Sequence, residues 1–177
     1  VKDSAFSGCG IKHITVENFN SIERTSGVFY GCPQLTEAVI EVRDANIPQD
    51  TKEIPPALFS HCTSLEKVLF TGMTGKITSI GYDAFEFTAL KEFEVPENVT
   101  KIDNMAFFKA MQLTEITLPQ KLRTIGRQAF SESGLENITL PDSVKYVEAE
   151  CFRDCRYLEE ATLPAKDFEV PDGMFES

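Results

Sequence analysis

Apolar and polar residues alternate in a phrase that returns along this chain. IKHITV, LEKVLF, LKEFEV, LTEITL, LENITL and LEEATL each begin with an apolar residue and two polar ones, then place apolar side chains at every second position. Such alternation predicts a half-buried strand, with Thr, Glu or Lys turned outward. In the last four phrases a proline follows at once, at Pro96, Pro119, Pro141 and Pro164. Proline cannot donate to a sheet ladder, so it marks the end of the strand.

A second signal has a longer period. Phe6, Phe29, Phe59, Phe85, Phe107, Phe130, Phe152 and Phe175 follow at spacings of 23, 30, 26, 22, 23, 22 and 23, so eight of the 14 Phe share one structural position. Five residues before the ring stand Val1, Ile54, Ile80, Ile102, Ile125, Val147 and Val170, and directly before it Ala5, Val28, Leu58, Ala84, Ala106, Ala129 and Cys151. Leu122, Ile125, Ala129 and Phe130 fall at i, i+3, i+7 and i+8, which predicts a short helical or 3-10 turn on the return limb.

Each unit is therefore one strand and one return limb. A unit of 22 or 23 residues cannot enclose a core alone, whereas stacked copies bury a continuous apolar column and pair their strands into a parallel sheet. The expected fold is an α/β solenoid of horseshoe shape, with the parallel β-sheet on its concave face and helical or 3-10 turns on the return limbs. Residues 1–177 are expected to form a single domain of about seven to eight repeats. Between 29 and 85 the spacing stretches, and segments such as RDANIPQDTKEIPPALF and TGMTGKITSIG carry extra residues. The chain opens on Val1 at a repeat position and closes on DGMFES just after the eighth anchor, so it reads as a fragment of a longer protein.

The phrase L-x-x-I-x-L-P coupled to I-G-x-x-A-F-x-x-C resembles the BspA-like class of leucine-rich repeat, over essentially the whole chain. The resemblance implies a leucine-rich-repeat fold carried by bacterial or protozoan surface proteins, binding other proteins and in some cases host matrix. It therefore implies an extracellular or cell-surface, adhesion-type binding module without catalysis of its own. A structural spacer or recognition arm of a larger protein is the alternative.

The x positions of the strand phrase give three outward columns on the concave face. The first runs Lys12, Thr36, Glu66, Lys91, Thr114, Glu136, Glu159, and the second His13, Glu37, Lys67, Glu92, Glu115, Asn137, Glu160. The third is Thr15, Val39, Leu69, Glu94, Thr117, Thr139, Thr162. A solenoid binds partners on this kind of surface. The candidate partner-binding residues are Glu37, Val39, Glu66, Lys67, Leu69, Glu92, Glu94, Glu115, Glu136, Asn137, Glu159 and Glu160, with Val39 and Leu69 as an apolar anchor. The loops between Phe29 and Phe85 are a second candidate, since insertions within repeats map to loops.

Charge narrows the partner. With 28 acidic and 17 basic residues the formal net charge is −11, which disfavours nucleic acid and anionic membranes and favours a protein with a basic patch. No apolar run approaches the roughly 18 residues of a membrane span. Cys9, Cys32, Cys62 and Cys155 lie three residues after their Phe, where other copies have Thr88, Ala110 and Ser133, and Cys151 takes an Ala slot. They read as small packing side chains, although stacked coils also leave a Cys9–Cys32 or Cys32–Cys62 disulfide open. No Cys and His spacing resembles a zinc set, so neither metal nor cofactor is expected. Phosphate loops, nucleophile elbows and metalloprotease motifs are absent. The carboxylate pairs Glu92 with Glu94 and Glu159 with Glu160 read as solvated repeat face.

Overall fold

A computed structural model describes residues 1–19, 22, 25–43, 52–166 and 168–177. Part of the first irregular segment, residues 44–51, lies outside the described residues. The strand phrases form β1 (His13–Val16), β2 (Glu37–Val42), β4 (Lys67–Gly72), β6 (Glu92–Glu94), β8 (Glu115–Thr117), β10 (Asn137–Thr139) and β12 (Glu160–Thr162). All their pairings are parallel, within three sheets: β1-β2-β4, β6-β8 and β10-β12. Their inward residues include Ala38, Ile40, Phe93 and Ile138, all buried.

The return limbs depart from the expected helical turns. They contribute β3 (Lys52–Ile54), β5 (Ile77–Ile80), β7 (Lys101–Ile102), β9 (Thr124–Ile125) and β11 (Tyr146–Val147), which pair in parallel into a five-stranded sheet. A 3-10 turn at Thr74–Lys76 belongs to the insertion, not to the repeat. The molecule is a parallel-sheet β-solenoid with a leucine-rich-repeat outline, and among the described residues five coils are bounded by two strands and a turn.

The turn carries the anchor, and its backbone explains why no helix forms. The residue two before the Phe has positive φ in all eight copies: Ser4, Gly27, Ala57, Asp83, Met105, Gln128, Glu150 and Gly173. So does the residue two after it in seven, from Gly8 and Gly31 through His61, Phe87, Lys109, Glu132 and Asp154. A left-handed residue on either side interrupts any right-handed helical run. The amides are also committed elsewhere: Gln128, Phe130 and Glu132 donate to the carbonyls of Ala149, Cys151 and Arg153 in the next coil, at 3.3, 2.9 and 2.8 Å. Leu122, Ile125, Ala129 and Phe130 are all buried. They reach the core from successive sides of one coil, and that winding imitates helical spacing.

The eight anchor rings form one stack down the axis, with neighbouring centroids 5.1 to 6.0 Å apart and planes within 23°. The slot three residues later accepts a small side chain that turns back to the preceding coil. Cys32, Cys62 and Cys155 each direct their thiol at the carbonyl of the previous anchor, Phe6, Phe29 and Phe130, at 3.0, 2.9 and 3.1 Å. All five cysteines are free thiols. Burial pushes the Cys62 thiol up to about 12 and Cys151 well above its ordinary value, which suppresses the reactive thiolate.

The stretched spacing between Phe59 and Phe85 is absorbed by β4, which runs to Gly72, and by the turn that follows. The Asn98 amide donates to the carbonyl of Gly75 at 2.7 Å, fastening this turn to the next coil. At Gly81 the neighbouring backbone comes close: a Cβ there would lie 2.7 Å from the Ile54 carbonyl oxygen and 2.9 Å from the Pro56 nitrogen.

Candidate interaction face

Strand register fixes the outward columns. In the second column His13 lies opposite Glu37 and Glu37 opposite Lys67, Glu92 opposite Glu115, and Asn137 opposite Glu160. In the third, Thr15 meets Val39 and Val39 meets Leu69, while Glu94 meets Thr117 and Thr139 meets Thr162. Backbone bonds join the first column in two runs, from the amides of Thr36 and Glu66 to the carbonyls of Lys12 and Thr36, and from those of Thr114, Glu136 and Glu159 to the carbonyls of Lys91, Thr114 and Glu136. Of the twelve candidates, Glu37 and Val39 are half-buried and the other ten exposed.

Charge is balanced at one end of this face and unbalanced at the other. On β1-β2-β4, His13 Nδ1 lies 3.9 Å from a Glu37 carboxylate oxygen, and Lys67 stands on the far side of Glu37. In the first column Lys91 Nζ bonds Glu66 at 2.8 Å. Beyond that point Glu92, Glu94, Glu115, Glu136, Glu159 and Glu160 make no ion pair among the described residues. Glu92 and Glu115 sit directly across the β6-β8 ladder, where like charges repel.

Five candidates converge on one groove. Lys67, Leu69, Glu92, Glu94 and Glu115 line a cleft of about 460 Å³ between β4 and β6, which belong to separate sheets. Its floor is apolar: Phe70 is half-buried, and its ring meets Phe93 edge-on at 6.4 Å. Leu69 is 38% exposed on the rim. Thr74, within the inserted loops offered as the second candidate, also lines the groove, as does Glu97, which lies outside both the repeating phrase and those loops. Glu37 and Val39 flank it through β2, whereas Glu136, Asn137, Glu159 and Glu160 lie apart, in and around β10 and β12.

A second polar cluster lies on the turn side. Ser60 donates to Glu86 at 2.7 Å, and His61 Nε2 lies 3.6 Å from the same carboxylate, with its ring stacked on Phe87 at 4.6 Å. The Ser60 hydroxyl is buried, and its bond to Glu86 ties two coils together. Nearby, burial and then the charge of Glu86 push the Asp83 carboxyl up to about 6, against the opposing hydrogen bond of Tyr82. Among the described residues no group of three or more His, Cys, Asp or Glu is placed to hold a metal ion. No described helix is long and apolar enough to cross a membrane.

A family model described as BspA type leucine rich repeat region matches in six copies over residues 1–110 and 78–177. The chain belongs to the BspA-type leucine-rich repeat family. This BspA-type chain is also similar to the crystal structure of a leucine-rich repeat protein from Bacteroides ovatus, with 30% identity and a TM-score of 0.78 over 97% of its length. It spans 43% of that protein. A leucine-rich repeat protein from Eubacterium ventriosum shares the fold at 18% identity and a TM-score of 0.57, with 98% of this chain and 48% of that one covered. None of the curated proteins compared matches the chain.

Proposed function

We propose that this BspA-type solenoid is an adhesion-type module, secreted or displayed at the cell surface, that binds a protein through the open face of its strand-phrase sheets. Repeat solenoids are scaffolds for protein interaction, and the family resemblance supplies the surface setting. The observation that carries the reading is the charge imbalance: six exposed carboxylates of the outward columns stand without a cation among the described residues. A basic patch on a partner, such as a host matrix or surface protein, is complementary to them.

The test is binding of the purified chain to extracellular-matrix, serum and glycan ligands at low and physiological salt, beside a variant with Glu92, Glu115, Glu136 and Glu160 changed to Lys. Salt-sensitive binding abolished by the reversal supports the face; binding untouched by it counts decisively against the face. A second reading, a spacer or recognition arm of a larger protein, draws support from the chain's spanning 43% of the Bacteroides ovatus protein. Absence of binding by a folded sample favours that reading.

A further inference from the structure

The open face is not uniform, and the groove between β4 and β6 coincides with the first uncompensated carboxylates. We propose that the groove between β4 and β6 receives an arginine from an extended segment of the partner protein, with an apolar residue beside it. This inference rests on the open-face reading and assigns a location and a side chain to it.

Three observations converge on that occupant. The groove pairs an apolar floor, from Phe70 and Phe93, with carboxylates on its β6-β8 side. A long cationic side chain matches that division, since its aliphatic stem covers apolar surface while its head remains among polar groups. Glu92 and Glu115 stand opposite each other in register, both exposed and without an ion pair among the described residues. Their repulsion in the free protein is relieved when a cation bridges them, so the cost of the like-charge pair becomes binding energy. A planar guanidinium presents five donors in a fixed fork and holds two carboxylates in a defined orientation, whereas an ammonium bridges them only as a rotating point charge. The balanced columns of β1-β2-β4 offer no such vacancy for charge, because His13, Glu37 and Lys67 alternate there.

The groove also has a structural origin. The strand-phrase sheet is divided both between β4 and β6 and between β8 and β10, and the first division lies next to the inserted turn at Thr74–Lys76. A partner residue can enter there instead of lying flat on a continuous sheet, and the apolar neighbour finds Leu69 on the rim.

A library of random dodecapeptides selected on the immobilised chain provides the probe, in 50 mM and 150 mM salt. Selected peptides are then measured against two isosteric double variants, Glu92→Gln/Glu115→Gln in the groove and Glu136→Gln/Glu160→Gln further along the face. Thermal melting confirms that both variants are folded. The expected result is enrichment of arginine beside an apolar residue, with binding weakened at least about tenfold by the groove variant and little by the distal one. Citrulline in place of the arginine should produce the same loss against the parent chain. Loss through the distal variant alone, equal loss through both, or binders without arginine overturn the groove and leave the open-face reading standing. Binding indifferent to both variants, or no enrichment, overturns the two together.

Discussion

The rings of Phe130 and Phe152 lie one coil apart, centroids 5.4 Å apart and planes within 4° of parallel. Both side chains are fully buried, so each ring has the neighbouring anchors as its two walls. Replacing Phe130 with Ala should lower stability by about 3 to 5 kcal/mol. Phe175, 39% exposed at one end of the stack, should cost less on the same change. Urea unfolding of the two variants measures the difference, and a loss under about 1 kcal/mol at Phe130 contradicts its role as a wall of the core.

The left-handed turn slots make opposite substitutions informative. At Gly31 φ is 65°, and a Cβ there would meet nothing within 4 Å. Gly31→Ala therefore tests conformation without a clash, and should destabilise by about 1 kcal/mol. Ala57 occupies the other left-handed slot, with φ of 52°. Ala57→Gly should stabilise by roughly 0.5 kcal/mol, the relief of its strain less the extra chain entropy of glycine. Two changes of the same sign would contradict the assignment of these turns.

Thiol counting tests the cysteine slots. In native protein Cys32, Cys62 and Cys151, all fully buried, should resist an aromatic disulfide reagent at pH 8. Denaturation without reductant should expose all five thiols. A count of three would identify one disulfide and replace the hydrogen-bonded thiols with a covalent staple.

Asp83 sets a pH dependence of defined sign. Its carboxyl titrates near 6 in the folded chain against an ordinary 3.8, so between those values the folded state holds more protons than the unfolded one. Its contribution is fully present below pH 3.8 and is lost as pH rises through 6. Half-burial keeps the magnitude modest. Asp83→Asn also suits the left-handed backbone at this position, φ 55°. The stability difference between variant and parent should grow in the variant's favour from pH 4 to 6, then level off by about pH 7. Unfolding curves that differ by a constant amount over this range would assign the titration elsewhere.

The return limb shows where sequence reading stopped. Leu122, Ile125, Ala129 and Phe130 were legible as buried residues, and they are buried. Their spacing pointed to a helical turn, but Ile125 lies in a strand and Phe130 in a turn between left-handed residues. Glycines at 8, 27, 31 and 173 were the available signal for that backbone, since glycine adopts positive φ without steric cost. Most copies fill these slots with residues such as Gln128 and Glu132, so the signal was diluted. At the candidate site the column order was readable because side-chain direction in a strand has period two. The groove was not, because its division between β4 and β6 depends on how an aperiodic insertion settles.

By itself the sequence determined the period, the faces of each strand phrase, and the small size of the slots held by Cys32, Cys62 and Cys155. Those features follow from which side chains a repeated unit must hide, and burial is written locally in apolar spacing. Only the tertiary structure decided where the amides go. The Phe130 amide finds its partner at Cys151 in the next coil, and a bond between separate coils leaves no local periodicity from which to read it. The same holds for the groove: Glu92 and Glu115 are neighbours in the outward column already in sequence, but the division of the sheet between β4 and β6 beside them is not written there.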